Sequence, residues 1–203
     1  MTLTLFHSPG SCSDGIAYLL AELDVPHHVH VVNLPKGEHL QDSYRAANPK
    51  GKVPALRRAD GSILTEFQAI SFWLGRSFPQ AGLIGDDLED QARILELMDF
   101  MVASVHMRGF TFMKVPQKFI PDAEAQKALR AHGRAEVEKG LRHLSAVLGD
   151  KDFLMGRLTL AEAPAIYLLR WAVAAKVDMP DNMHALHDRL MARPAAQIAF
   201  PDG

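Results

Sequence analysis

The chain has 203 residues, of which 48% are hydrophobic and 23% are charged, and this composition is typical of a globular protein that buries its own core. At about 150 residues per domain, the length fits one large domain or two small ones. The formal net charge is -2, which argues against nucleic acid or an anionic membrane surface as the main partner.

The chain contains a single cysteine, Cys12. One cysteine excludes an intrachain disulfide framework and any metal site built from several cysteines, and it suits a reducing compartment. No apolar run approaches the roughly 20 residues that span a bilayer, and the first residues lack the basic region of a secretory signal. No histidine pair stands with a carboxylate at metal-ligand spacing. We therefore expect a cytoplasmic protein without a metal.

The first part of the chain alternates short strands with helices. Thr and Leu alternate in the first strand, and a Pro-Gly turn follows it. Ser11 and Asp14 then have the spacing of a capping box, although Asp is shorter than the preferred Glu. An Asp-Gly pair predicts a hairpin between the last two strands. The predicted strands are 2–6, 28–34, 53–58 and 62–66, and the helices follow residue 11, at 39–47 and at 67–77.

The rest of the chain has no convincing strand beyond Pro79. A segment with the Pro and Gly content of a linker, 79–86, precedes it. The long helical patterns are 87–113, 122–148, 160–176 and 182–192. We therefore predict an α/β domain over 1–80 and an all-helical domain over 86–203. Thr159 and Glu162 form another capping-box pattern, and Pro164 soon after it has no explanation in the sequence.

Cys12 lies at the predicted start of a helix that follows a strand and a tight turn. The N-terminus of a helix carries unpaired N–H groups and a partial positive charge, and both favour a thiolate. A small buried cysteine without chemistry is the alternative, since cysteine is often buried. From its position alone, both interpretations stand about equal.

Three further places are candidates for chemistry. A cis Val53–Pro54 bond would present the Val53 backbone to an extended peptide-like ligand, but an ordinary loop is favoured because only about 5–6% of X–Pro bonds are cis. Glu66 and Phe67 lie where a strand gives way to a helix, a place that can bind charged groups of a ligand or can simply be a solvated cap. His106 lies in an apolar helix, where a core histidine is the simplest interpretation.

Together these segments resemble the cytosolic glutathione transferases, most closely the bacterial beta class. The motifs occur in family order: Pro-Gly-Ser-Cys-Ser, Asn-Pro-Lys-Gly-Lys-Val-Pro-Ala-Leu, Leu-Thr-Glu-Phe-x-Ala-Ile, Val-His-Met-Arg-Gly-Phe and the Thr-Leu-Ala-Glu box. The resemblance covers essentially the whole chain. It implies a thioredoxin-like N-terminal domain, an all-helical C-terminal domain, a homodimer and glutathione as co-substrate.

The resemblance also implies roles for particular residues. Cys12, with Ser11 beside it, would lie next to the glutathione sulfur, and His106 would face the thiol from the helical domain. The Val53 backbone would pair with the cysteinyl part of glutathione and Pro54 would be cis, against the interpretation that the residues alone favour. The expected glutathione-binding residues are Lys52, Val53, Pro54, Glu66 and Phe67.

Three positions depart from the family pattern. Phe67 replaces the usual Ser or Gly, so a hydroxyl contact to the γ-glutamyl carboxylate, worth roughly 1.5–3 kcal/mol, is lost. Met107 replaces a frequent Lys, and Asp99 replaces a common Asn. These changes make the site less favourable for an anionic tripeptide.

Three functions follow as hypotheses. The leading one is conjugation of the glutathione thiol to small hydrophobic electrophiles, with the product leaving between the two domains. The second is monothiol disulfide exchange, in which Cys12 forms a mixed disulfide with glutathione. The third is a non-catalytic interaction protein of the same fold.

Overall fold

The computed structural model describes residues 2–201 and contains two compact units. The first unit runs to Asp86 and also includes the chain from Met191 onward, while the second is Asp87–Leu190. The division therefore differs in one respect from the one expected from sequence, because the C-terminal residues belong with the first unit. The reason is a short helix that packs on the N-terminal part of the chain.

The first unit is built on a mixed four-stranded sheet. Its strands are β1 (Leu3–His7), β2 (His27–Val31), β3 (Ala55–Arg57) and β4 (Ile63–Thr65), in the order β2-β1-β3-β4. β1 pairs parallel with β2 and antiparallel with β3, and β3 pairs antiparallel with β4. This is the thioredoxin-like arrangement that the resemblance implies.

Four helices complete this unit, and the last of them packs on the first. They are α1 (Ser13–Glu22), α2 (Asp42–Arg45), α3 (Phe67–Ser77) and α9 (Pro194–Ala199). Leu5 and Leu56 of the central strands are fully buried, as are Ile16 of α1 and Ile70 of α3. Burial of these apolar side chains at the sheet surface is the main force that holds α1 and α3 in place.

The helix α9 was not predicted from the sequence. It is short, and it is tied to α1 by an ion pair in which Arg193 Nε lies 2.5 Å from Glu22 Oε1 and Nη2 lies 2.9 Å from Oε2. Ala196 is fully buried as well. Tertiary contacts rather than a strong local pattern therefore define this element.

The second unit is helical, and its described residues contain no strand. Its helices are α4 (Leu88–Asp99), α5 (Thr111–Lys114), α6 (Ala123–Leu148), α7 (Glu162–Ala174) and α8 (Asp181–Met191). A π-helical segment, Phe100–Phe110, joins α4 to α5 without a break. The expectation of an all-helical second part is thus confirmed. Within the described chain, no helix is both long and apolar enough to cross a membrane.

Glycines let α6 approach the π-helical segment closely. A Cβ on Gly133 would lie only 2.6 Å from the Gly109 carbonyl oxygen, and one on Gly140 only 2.5 Å from Val105 Cγ2. Larger residues at these places would push the two helices apart. The close contact fixes the segment that carries His106.

The start of α7 explains Pro164. The helix begins at Glu162, so Pro164 lies in the first turn, where a backbone N–H has no partner within the helix. The predicted capping box is only half formed. Glu162 Oε2 accepts the Thr159 N–H at 2.8 Å and its hydroxyl at 3.0 Å, but the Thr159 hydroxyl oxygen accepts the Ala161 N–H, and the N-cap residue is Ala161.

Candidate active site

Cys12 lies at the start of α1, as predicted, and it is the N-cap residue in place of Ser11, which the capping-box pattern assigns to that position. Its thiol is half-buried and donates to the Val53 carbonyl oxygen at 3.5 Å. The contact joins two segments that are far apart in sequence, the start of α1 and the loop before β3. It thereby brings together two of the motifs on which the resemblance depends.

The state of the Cys12 thiol bears on the two interpretations that its position leaves open. Burial raises its pKa to about 12, and the carboxylates of Asp14 and Glu66 add to the effect. Backbone N–H groups of Cys12 and Ser13 act in the opposite direction, as expected at a helix N-terminus, but they are the smaller influence. Desolvation outweighs the helix N-terminus, so the pKa favours a buried thiol over a thiolate in the unliganded protein.

The prediction of a capping box formed by Ser11 and Asp14 is wrong. Asp14 Oδ1 accepts the N–H of Gly10 at 3.1 Å, and no side chain caps the helix from Cys12. Ser11 Oγ accepts the Ser13 N–H at 3.2 Å. The Asp side chain is one methylene shorter than Glu, and it points back to the turn before the helix.

A buried polar cluster lies beneath this helix start. His7 Nδ1 and Ser11 Oγ lie 2.8 and 2.7 Å from Ser13 Oγ. His7 is only 7% exposed and Ser13 is fully buried. Burial lowers the pKa of His7, so the ring is neutral at pH 7. Sequence reasoning missed this cluster, because it assigned His7 to a turn and Ser13 to the helix; the run of polar residues before a buried apolar helix was the available signal.

The loop before β3 contains the cis peptide bond between Val53 and Pro54 that the resemblance implies. Pro54 is buried and Val53 is half-buried, while Lys52 is exposed. The Lys52 carbonyl oxygen accepts from Tyr44 Oη at 2.5 Å and from Asn48 Nδ2 at 2.7 Å. Two side chains thus hold this loop in position through the backbone of Lys52.

Glu66 lies between β4 and α3 in an unusual backbone conformation. Its φ is 74° and its ψ is 131°, in a region that favours glycine. Such a conformation costs about 1–3 kcal/mol and occurs often at ligand-binding sites. The carboxylate is 59% exposed and lies 2.5 Å from Lys50 Nζ, which also donates to Thr65 Oγ1 at 2.9 Å. An exposed pair of this kind contributes little to stability.

Phe67 begins α3 with its side chain buried at 5% exposure. Its carbonyl oxygen accepts the hydroxyl of Ser71 at 2.9 Å. The aromatic ring therefore belongs to the core of the unit, and only the Phe67 backbone is available to a ligand.

His106 belongs to the second unit and lies in the π-helical segment. Its Nδ1 is 3.2 Å from Tyr167 Oη, and its ring packs edge-on against Tyr167 and Trp171. Burial lowers its pKa to about 4, and the nearby positive charge of Lys114 adds to this effect. His106 is thus a neutral imidazole at pH 7 that shares a hydrogen bond with a tyrosine.

The other two departures from the family pattern lie on the surface. Met107 is 44% exposed, and Asp99 at the end of α4 is exposed as well. No group of three or more His, Cys, Asp or Glu residues that could hold a metal ion occurs in the described part of the chain.

The mixed sheet β2-β1-β3-β4 with a helical unit after it places the chain among proteins with a thioredoxin-like N-terminal unit. A family model described as the N-terminal domain of glutathione S-transferase matches residues 10–77. Glutathione S-transferase GstA of Escherichia coli O157:H7 is 33% identical over 98% of this chain and 97% of its own length. The chain belongs to the glutathione S-transferase family.

Solved structures show the same likeness. A bacterial beta class glutathione S-transferase of Sphingomonas chungbukensis has a TM-score of 0.83 at 26% identity, over 98% of this chain and 97% of its own. A sphingomonad glutathione S-transferase in complex with glutathione has a TM-score of 0.83 at 25% identity, with the same coverage. The fold expectation is therefore confirmed for both parts of the chain.

Proposed function

We propose that this protein is a glutathione S-transferase that conjugates the glutathione thiol to small electrophilic substrates. One observation carries the proposal: Cys12 at the start of α1 contacts Val53, and the charges that act on its thiol include that of Glu66. Two separate segments of the first unit, each with a family motif, therefore meet at one thiol, and the charge of Glu66 from a third segment acts on it. The sphingomonad relative that contains glutathione supports the identity of the co-substrate.

The same segments suggest how glutathione is held. The Val53 backbone, just before the cis bond and beside Lys52, would pair with the cysteinyl part of the tripeptide, as strands pair in a sheet. Glu66 would hold the ammonium group of the γ-glutamyl residue. The backbone of Phe67 would bind the carboxylate of the same residue. Pro54 keeps this loop edge in its bent form.

The glutathione sulfur would then lie near the N-terminus of α1. Backbone N–H groups there, near Ser11 and Cys12, favour a thiolate on the co-substrate. The Cys12 thiol, protonated at neutral pH, can donate its weak S–H hydrogen bond to that sulfur in place of the Val53 carbonyl oxygen. His106 is a further candidate catalytic residue, and its role rests on the resemblance.

The state of Cys12 distinguishes conjugation from disulfide exchange. Disulfide exchange needs a Cys12 thiolate as the attacking group, whereas conjugation needs only a glutathione thiolate. Burial raises the pKa of Cys12 to about 12, which favours conjugation. We further propose a cytoplasmic homodimer of the beta class with a detoxifying role and a hydrophobic electrophile as second substrate.

The direct test is incubation of the purified protein with glutathione and a chlorodinitrobenzene-type electrophile. We expect conjugation and retention on a glutathione matrix. Absence of both would refute the proposal, and absence of any rise in melting temperature with glutathione would favour the non-catalytic alternative. Loss of disulfide reduction in Cys12→Ser, with conjugation retained, would assign the cysteine to redox chemistry.

A further inference from the structure

The Ser13 hydroxyl lies at the centre of the buried polar cluster and has more possible hydrogen-bond acceptors nearby than its single proton can serve. It accepts the Ser8 N–H at 3.0 Å, and it also approaches His7 Nδ1 and Ser11 Oγ at 2.8 and 2.7 Å. The Ser8 carbonyl oxygen is a more distant acceptor at 3.3 Å. A hydroxyl has one proton and two lone pairs, so the proton of Ser13 can serve only one of these acceptors.

The tautomer of the His7 ring decides which acceptor receives the Ser13 proton. Its Nε2 lies 3.8 Å from Asp14 Oδ1, and a negative carboxylate at this place favours a proton on Nε2. A neutral ring with its proton on Nε2 has a lone pair on Nδ1, which must accept from Ser13. Ser13 then has no proton left for Ser11, so Ser11 must be the donor in the short contact between the two hydroxyls.

We propose that His7 is a positioning residue for the thiol chemistry: acting through Ser13, it turns the proton of the half-exposed Ser11 hydroxyl inward. One lone pair of Ser11 Oγ accepts the Ser13 N–H, and Ser11 presents the other to a bound thiol, which it orients by accepting the S–H. Stabilisation of the thiolate is left to backbone N–H groups of α1. This inference rests on the proposed function only for the identity of the thiol as that of glutathione.

The first test reads the tautomer without any ligand. Long-range proton–nitrogen NMR spectra of protein labelled at histidine distinguish the two ring nitrogens. The signals that are missing from the spectrum of His7→Asn belong to His7. If His7→Asn does not fold, His7→Gln serves the same purpose. We expect the proton on Nε2. Asp14→Asn keeps an acceptor for the Gly10 N–H but removes the charge, so it increases the share of protein with the proton on Nδ1.

Asp42→Asn is the matched control, because it removes a charge from the same unit at an exposed position on α2. It leaves the His7 tautomer unchanged. A wild-type ring with its proton on Nδ1, or a tautomer that does not respond to Asp14→Asn, would overturn the proposal.

The second test measures the pKa of the bound glutathione thiol from its thiolate absorbance. Asp14→Asn lowers this pKa, partly because a negative charge is removed and partly because Ser11 can now donate to the thiolate. Adding Ser11→Ala to Asp14→Asn removes only the second contribution and so raises the pKa of the bound thiol. The change in this pKa on Ser11→Ala is about 0.5 unit more positive in the Asp14→Asn background than in the wild type. Equal effects of Ser11→Ala in both backgrounds would refute the inward orientation. Failure of the wild type to bind glutathione would refute the proposed function and leave the tautomer result standing.

Discussion

Two helix starts in this protein have the same sequence spacing and different structures. At the start of α7, Glu162 is fully buried and accepts three hydrogen bonds, from the backbone N–H groups of Leu154 and Thr159 and from the Thr159 hydroxyl. At the start of α1, Asp14 instead turns back to Gly10, and Ser11 bonds to Ser13.

The difference follows from the length of the acidic side chain, since Glu162 is one methylene group longer than Asp14. The Glu162 side chain reaches back to Leu154 and Thr159 and fixes the segment before α7, whereas the shorter Asp14 stabilises the turn at Gly10. The first arrangement serves folding alone. The second leaves the helix start without a side-chain cap, next to a half-exposed cysteine, and so available to a ligand.

Removing the closed cap has the largest expected effect. Glu162→Ala leaves two buried backbone N–H groups without partners, at about 1–3 kcal/mol each, so we expect the free energy of unfolding to fall by about 3–5 kcal/mol. Urea denaturation measures the change. Glu124→Ala, on the exposed first turn of α6, is the matched control and should change stability by less than about 1 kcal/mol. A loss equal to that of the control would show that the Glu162 network does not hold the helix.

The same carboxylate predicts a pH dependence. Burial raises the pKa of Glu162 from 4.5 to about 7, so the folded state binds more protons than the unfolded state between these values. The free energy of unfolding should therefore decrease as pH rises from 4.5 to 7 and then level off. Glu162→Gln, which does not titrate, should lack this part of the slope; an unchanged slope would contradict the assignment.

The open helix start predicts an unreactive cysteine. A pKa of about 12 leaves very little Cys12 thiolate at pH 7, so alkylation by iodoacetamide should be roughly 100-fold slower than for an ordinary cysteine. The chain has one cysteine, so mass spectrometry follows the reaction without ambiguity. The same protein in urea is the control and should react at the ordinary rate. Equally fast reaction of the folded protein would favour the thiolate and, with it, disulfide exchange.

A third helix start, that of α3, tests the departure at Phe67. Phe67→Ser supplies the hydroxyl that the family usually has, and it should bind glutathione about tenfold more tightly than Phe67→Ala, by one charge-assisted hydrogen bond. Both variants lose the buried ring, so both should lose about 3–5 kcal/mol of stability. Comparing them by calorimetry therefore isolates the hydroxyl. Equal affinities would mean that no ligand carboxylate lies at this helix start.

Much of the fold was predictable, because strand alternation and helical periodicity are local. The predicted β3 and β4 and the long second-unit helices appear in the structure, and Cys12 lies at the start of α1 as predicted. The polar contacts of α1 were not predictable from spacing, because they depend on which way Asp14 points and on how deeply His7 and Ser13 are buried. The two interpretations of Cys12 could not be separated from the sequence for the same reason, since desolvation depends on packing that a sequence does not display.

The smallest expected effect concerns the pKa of His106, which a nearby charge lowers in addition to burial. At Cys12, nearby carboxylates strengthen the effect of burial, and at His106 the charge of Lys114 does the same with the opposite sign. Lys114 Nζ lies 3.9 Å from the centre of the Trp171 ring, so the tryptophan holds it near the imidazole. Lys114→Met should raise the pKa of His106 by less than about 1 unit, since burial remains the larger cause. NMR titration measures the shift, with Lys118→Met as the matched control. A pKa restored to 6.5 by Lys114→Met would mean that charge, rather than desolvation, keeps His106 neutral.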